Sequence, residues 1–352
     1  QSILRKIGFA LKCVLHTFAN LNSAVVILNW NGFDLLKKFL PSVVKHTPES
    51  ATVYVADNGS SDESVSMIQL KFPTVKVIEN GANLGFAEGY NQALQSVEEE
   101  YVVLLNSDVE VTEGWLEPLI QRLSNSPETA ACQPKILSYS EKNKFEYAGA
   151  SGGMIDSLGY PYCRGRMFDH TEVDNGQYND SIPIFWATGT CLAIKKSSYF
   201  EVGGLDSDFF AHMEEIDLCW RLQRAGYSIW VQPDSKIYHV GGGTLTVLNP
   251  KKTYLNFTNG LAMITKNSKI SKLIWLIPVR LILDGIAGLK FLVGSQPKHT
   301  WAIVRAHFNF YFKIFQWTRK RNGNYPELPI ISQSSVVWSY FVKKRKTFKD
   351  LT

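Results

Sequence analysis

Cysteine is scarce. Only Cys13, Cys132, Cys163, Cys191 and Cys219 occur in 352 residues, an odd number without a Cys-x-x-Cys pair. This argues against a disulfide framework or a cysteine zinc module and points to reduced thiols in a cytoplasmic catalytic domain. Clean apolar runs are missing too. Residues 3–19 are interrupted by Arg5, Lys6 and Lys12, so they lack the unbroken core of a signal peptide. Residues 1–22 are expected to form an amphipathic segment. The stretch Leu273 to Gly294 is apolar but contains Pro278, Arg280, Asp284 and Lys290. A charge at the centre of a bilayer costs about 2.5–3.5 kcal/mol on insertion scales, which disfavours a spanning helix. Acidic residues nearly vanish from the C-terminal part. Residues 251–352 hold 18 Lys+Arg against 3 Asp+Glu, a net +15, whereas residues 1–250 hold 19 against 29, a net −10. The split places a boundary near Pro250 and assigns the two parts different partners.

What is present reads as alternating strands and helices. Ser23 to Asn29 is a buried parallel strand, Asp34 to Val44 a helix, Thr52 to Ala56 a second strand and Ser64 to Phe72 a helix. Val75 to Glu79, a helix over Gly89 to Val97, and Tyr101 to Leu105 follow. This order predicts an α/β fold with a mainly parallel sheet. Ligands bind such sheets beyond the carboxyl ends of the strands, where Asn29–Asn31, Asp57–Asp62 and Asn106–Asp108 all sit. Residues 138–183 read as loops and short strands, Phe185 to Ile194 as strand-like, and Phe209 to Ala225 as helical. Ser228 to Gln232 and Ser235 to Tyr238 read as two short strands leading to His239 and Gly241-Gly242-Gly243.

Several of these residues suit chemistry, each with a structural alternative beside it. Asp108, in Asn106-Ser107-Asp108, places a carboxylate at a strand end, a hard oxygen ligand for Mg²⁺ or Mn²⁺; the same tripeptide also makes a good turn. Asp57 can accept hydrogen bonds from a base or ribose, or cap a helix. Asn83 to Asn91, with Gly85 and Gly89, opens a helix whose start would favour a phosphate. It is neither a P-loop nor a Gly-x-Gly-x-x-Gly turn. Glu214-Glu215 precedes an i, i+4 pair, Asp217 and Arg221. Adjacent carboxylates in a partly buried site suit a general base, and a solvated helix face is the plainer reading. His239 is a metal ligand candidate or a structural histidine.

The order of these motifs is more specific than any one of them. Strand–Asn-Trp-Asn, strand–Asp-Asn-Gly-Ser, Asn-x-Gly-x-Ala, strand–Asn-Ser-Asp, Gly-Gly-Leu-Asp, Glu-Glu-x-Asp-Leu-Cys-x-Arg-Leu and Tyr-His-x-Gly-Gly-Gly follow one another over residues 22–246. The series resembles the family-2 glycosyltransferases of the GT-A fold, in particular a rhamnosyltransferase-like branch. The resemblance implies an inverting transfer of a sugar from a dTDP- or UDP-linked donor to a hydroxyl of a glycan or lipid-linked glycan, in cell-surface polysaccharide synthesis. It implies nucleotide-sugar contacts from Asn29, Asn31, Asp57, Asn83, Gly85, Asn91, Asn106 and Ser107, and a divalent metal, Mn²⁺ or Mg²⁺, held by Asp108 and His239. Glu215 or Glu214 would be the base. The first acid of the D-x-D motif is Asn106 here, and the second acid of the Glu-Asp pair is Glu215.

These readings divide the chain into an N-terminal segment (1–22), a catalytic domain (23–250) and a basic helical region (251–352). Aromatic and basic residues mingle over Trp301 to Arg321, as in a helix lying at a membrane interface. An anionic membrane is therefore the expected partner, with the protein peripheral on its cytoplasmic face; a helical subdomain packed on the enzyme is compatible with it. Nucleic acid would account for the basic tail but not for the acidic crevice. A sugar-nucleotide pyrophosphorylase would need a Gly-rich, Arg-containing loop where Asn29-Trp30-Asn31-Gly32 stands, and an inactive homologue would not need Asp108, Glu215 and His239.

Overall fold

The computed structural model describes residues 22–241 and 249–351. The proposed N-terminal amphipathic segment, Cys13, Gly242 and Gly243 lie outside the described residues. The chain runs β1 (Ser23–Asn29), α1 (Phe33–His46), β2 (Ala51–Asp57), α2 (Ser64–Lys71), β3 (Lys76–Glu79), α3 (Gly85–Ala93), β4 (Tyr101–Leu105), β5 (Val109–Val111), α4 (Glu117–Asn125) and β6 (Thr129–Ser138). Four short strands follow, β7 (Gly153–Ile155), β8 (Pro161–Cys163), β9 (Arg166–Met167) and β10 (His170–Thr171), then β11 (Pro183–Ile184), β12 (Cys191–Lys195), α5 (Lys196–Glu201), α6 (Glu214–Arg224) and β13 (Ser228–His239). Three long helices complete the order: α7 (Pro250–Asn267), α8 (Ile270–Val293) and α9 (Pro297–Arg319).

The main sheet has nine strands in the order β11-β13-β6-β12-β4-β1-β2-β3, with β5 paired to the end of β13. Six strands share one direction; β12, β5 and β11 oppose them. The apolar runs of β1 and β4 are central and buried, as strands covered on both faces must be. Residues 138–183 form a small antiparallel sheet, β10-β9-β8-β7.

Three elements differ from the sequence pattern. The helix expected over 89–97 begins at Gly85, because Gly85 takes a left-handed φ of 78° that starts the turn early. The helix expected over 209–225 begins only at Glu214, because His212 and Met213 have φ of 71° and 76°. The two short strands after it are one strand, β13, with a register shift between Gln232 and Lys236.

The basic region packs against the catalytic sheet. Leu261, Ala262, Met263 and Ile264 of α7 are fully buried in the same cluster as Ala24, Val26 and Leu104. Helix α8 is inside out. Its buried positions are Leu276, Arg280, Asp284 and Gly288, one turn apart, while Ile274, Ile282, Ile286, Leu289 and Val293 face outward. Two of the charges that disfavour a membrane span, Arg280 and Asp284, are thus docking groups. Arg280 donates to Leu158 O at 2.9 Å and Gly159 O at 3.1 Å and lies over the Tyr160 ring. Asp284 accepts from Tyr160 Oη at 3.3 Å, with His307 Nε2 at 3.3 Å and Arg280 Nε at 3.8 Å. Among the described residues no helix is long and apolar enough to cross a membrane.

Removing one member of a buried charge group leaves the others uncompensated. Asp284→Ala should therefore destabilise the protein by about 3–5 kcal/mol, read as a lower urea midpoint. An unchanged midpoint would mean that Asp284 does not hold α8 in place.

Candidate active site

The donor side begins where β1 and β2 end side by side, with Asn29 opposite Asp57. Asn29 Nδ2 donates to Asp57 Oδ1 at 3.0 Å and Ser64 Oγ at 2.8 Å, with Ser60 Oγ at 3.1 Å. Asp57 Oδ2 accepts from Gly59 N at 3.2 Å and Ser60 N at 2.9 Å. The helix cap weighed for Asp57 is not found, since that helix is capped at Glu63; Asp57 instead closes the turn after its strand, which holds the carboxylate at the crevice wall. Asn29 Oδ1 is buried without a hydrogen-bond partner. Asn31, with φ 51°, accepts from Ser61 N at 2.8 Å and donates its own N–H to Ser60 Oγ at 2.9 Å. The two clusters are therefore one rigid wall.

The next loop is tied to that wall by Asn58, a residue for which the sequence pattern indicated only a turn. Asn58 Nδ2 donates to Gly85 O at 3.0 Å and lies 3.3 Å from Asn83 Oδ1, which accepts from Gly85 N at 3.0 Å. Asn80 Nδ2 in turn donates to Asn58 Oδ1 at 3.1 Å. Asn91 is different. Its amide donates to Leu205 O at 2.8 Å and accepts from Leu205 N at 3.0 Å and Tyr199 Oη at 2.6 Å. Those bonds pin α3 to the turn before α6 and leave no free group for a nucleotide sugar. Asn91 is corrected here from a ligand contact to a structural tie.

Asn106, Ser107 and Asp108 form the turn from β4 to β5. The β5–β13 pairing sets His239 opposite Val109, next to Asp108 in sequence. His239 Nε2 lies 3.1 Å from Asp108 Oδ1, and Nδ1 lies 3.3 Å from Glu146 Oε2. Nδ1 makes no aligned hydrogen bond, so both contacts are electrostatic. Burial alone would lower the His239 pKa, but the two carboxylates outweigh it and push it up to about 10. Glu146 is the residue here that sequence reasoning missed, because nothing in Phe145-Glu146-Tyr147 marks it.

Asp108 and His239 fit a divalent cation of the Mg²⁺ or Mn²⁺ kind. They offer one hard carboxylate and one imidazole, the donors stand 3.1 Å apart, and the Nδ1 side faces a carboxylate, as in ligating histidines generally. Among the described residues no three acidic, histidine or cysteine side chains form a complete cage. That suits ions that complete their shell with substrate phosphates and water.

The base candidates lie across a short bridge from this motif. Asn106 N donates to Thr190 O at 3.0 Å, and the neighbouring Gly189 stands against the Glu215 side chain. The Phe86 ring fills the space over Gly189, so the donor loop, the metal motif and Glu215 meet there. Burial raises the pKa of both glutamates, and the Glu215 charge raises that of Glu214 further. Glu215 is opposed in this by N–H groups of Gly189, Met213 and Ile216 and its own. Two adjacent carboxylates with so little water around them cannot both ionise readily. Each has an Oε2 without a hydrogen-bond partner.

Known proteins resemble this chain in sequence and in fold. The model for "Glycosyl transferase family 2" matches residues 24–200. The chain is 27% identical over 233 residues to an N-acetylglucosaminyl-diphospho-decaprenol L-rhamnosyltransferase of Mycobacterium tuberculosis, covering 61% of this chain and 75% of that protein. It is 24% identical over 255 residues to the low-salt glycan biosynthesis hexosyltransferase Agl10 of Haloferax volcanii, covering 71% and 76%. Among solved structures, GalNAc-T7 with UDP, GalNAc and Mn²⁺ superposes with a TM-score of 0.56 at 16% identity, over 87% of this chain and 58% of the other. A Pyrobaculum calidifontis mannosyltransferase with GDP-Man and Mn²⁺ gives 0.50 at 16%, over 85% and 83%. The sheet and its flanking helices thus make a GT-A fold, with C-terminal helices added. With the family model spanning half of its length and curated relatives that are themselves sugar transferases, this chain belongs to glycosyl transferase family 2 and is a glycosyltransferase.

Proposed function

We propose that the chain transfers a sugar, with inversion, from a dTDP- or UDP-linked donor to a hydroxyl of a lipid-linked glycan in cell-surface polysaccharide synthesis. The observation that carries this is the Gly189–Thr190 bridge, which sets an ionisable carboxylate, Glu215, beside the Asp108 motif. Asn29, Asn31, Asp57, Asn83, Gly85, Asn106 and Ser107 form the donor wall and orient the nucleotide sugar. Asp108 and His239 would hold Mn²⁺ or Mg²⁺, which would supply positive charge against the departing diphosphate. Glu215 takes the proton of the acceptor hydroxyl as that oxygen forms its bond to the anomeric carbon and the bond to the diphosphate breaks. One displacement inverts the anomeric centre. The mycobacterial relative's name specifies a polyprenyl diphosphate sugar as acceptor, which supports a lipid-linked acceptor here.

The enzyme would work on the cytoplasmic face of a membrane. The support is α8, which turns Arg280 and Asp284 inward and aliphatic residues outward, beside exposed Trp301, Phe308, Phe312 and Phe315 of α9. The net +15 of residues 251–352 would draw this face to anionic lipid.

Screening dTDP- and UDP-sugars with Mn²⁺ by thermal shift identifies the donor, since a ligand of the native state raises its apparent stability. Asp108→Ala should abolish both transfer and Mn²⁺-dependent donor binding while the protein stays folded. Full activity of that variant, or of the parent in excess EDTA, would sink the metal site.

Glu215→Gln should lose kcat and keep donor affinity. Because burial raises the Glu215 pKa, parental kcat should fall with acidification from above the usual carboxylate range. If Glu214→Gln is dead and Glu215→Gln active, the roles are exchanged.

Vesicles containing phosphatidylglycerol should bind the protein, less tightly in high salt but not negligibly. Phe312→Ala with Phe315→Ala should weaken that binding without lowering Tm. Equal binding by this variant would exclude α9 from the contact.

A further inference from the structure

The helix that carries Glu214 and Glu215 starts from a strained turn. Its cap, Met213, and the preceding His212 both have left-handed backbone, although neither is glycine. Such conformations persist only where the surroundings hold them. The hold comes from α7. The buried Asn259 donates its side-chain nitrogen to Ala211 O and to His212 O, both at 2.9 Å, so one amide spans the carbonyls of the turn. Among the described residues no other side chain hydrogen-bonds to those carbonyls.

The same helix grips α6 again one turn past the glutamates. Lys266 Nζ and Asn267 Nδ2 reach the fully buried Asp217 at 2.8 Å each, and Arg221 Nε reaches it at 2.9 Å. Asn259 and Lys266 stand about two helical turns apart, on one face of α7. That face therefore brackets Glu214 and Glu215, with one grip on the turn before them and another on the residue after them.

We propose that Asn259 is a positioning residue of the transfer reaction, fixing the Ala211–Met213 turn so that the Glu215 side chain stays beside Gly189 and in line with the acceptor hydroxyl. This rests on Glu215 being the base. Asn259 makes no hydrogen bond to the donor wall, to Asp108 or to His239, so its loss acts on the chemical step and leaves donor binding intact. The C-terminal helices thereby become part of the active-site scaffold as well as a membrane face.

Two variants test it. Asn259→Asp keeps the size and shape of the side chain but replaces the double donor with an acceptor; Asn259→Ala removes it. Transfer is measured with Mn²⁺, the donor that the parent turns over among dTDP-rhamnose, UDP-glucose, UDP-N-acetylglucosamine and GDP-mannose, and N-acetylglucosaminyl-diphospho-polyprenol as acceptor. Calorimetry with the matching nucleoside diphosphate gives donor-side affinity, and amide exchange by mass spectrometry reports the turn without needing activity. Displacing a catalytic group by an ångström costs on the order of 100-fold, so kcat should fall roughly 10–100-fold. Nucleotide affinity should stay within about two-fold. Exchange should rise only in peptides spanning 209–218.

Parental kcat in Asn259→Asp, or no change in exchange over 209–218, would overturn the proposal. So would exchange rising throughout the sheet with affinity falling in step, since that is loss of folding. An active Glu215→Gln would refute the base itself, whatever Asn259 does. An inactive Glu215→Gln beside an active Asn259→Asp would refute only the positioning role.

Discussion

Two carboxylates in one dry pocket cannot both carry charge at little cost. Much of the active site follows from how the fold resolves that conflict at Glu214 and Glu215. Glu215 is given the helix N-terminus and the Gly189 N–H, groups that favour an anion. Glu214 is given burial and a charged neighbour, which raise its pKa. The left-handed turn at His212 and Met213 makes the arrangement possible, by starting the helix where the second glutamate can meet Gly189.

The sheet supplies the other half of the geometry. Strand β12 runs against β4 and ends the run of parallel strands, so the segment before it, Thr188–Thr190, crosses the mouth of the crevice. Strand β13 returns beside β6 and pairs its last residues with β5, which sets His239 at Asp108. The acids of the site come from strand ends and a helix start, where backbone N–H groups are free to receive them. The C-terminal helices close the structure by turning polar residues inward: Asn259, Lys266 and Asn267 from α7, and Arg280 and Asp284 from α8. Buried polar groups must find partners, and these find them on α6 and the small sheet. What α8 leaves outside is mainly apolar, with Lys290 among it.

Much of this was legible in the residues. The strand Tyr101–Leu105 agrees to the residue, because a short apolar run bounded by polar turn formers has few other conformations. The i, i+4 pairs Asp217–Arg221 and Arg280–Asp284 were readable from helix periodicity and are present at 2.9 and 3.8 Å. Asn91 was misread, because its place in a motif-rich helix start does not reveal that Leu205, more than a hundred residues away, takes up its amide. Glu146 and Asn259 gave no signal at all, since each matters only through a partner distant in sequence.

The sequence by itself determined the strand and helix order, the residues at the strand ends and the charge split at Pro250, since these depend on local periodicity and composition. It also determined which side chains are able to bind a hard cation or accept a proton. Tertiary structure alone decided what surrounds each glutamate, because the neighbours come from distant parts of the chain, here Gly189 beside Glu215. It alone decided that His239 meets Asp108, because strand register fixes that contact across a long chain separation. And it alone decided which way α8 faces. Composition records that a helix is apolar and charged, but only packing shows that Arg280 and Asp284 are inside.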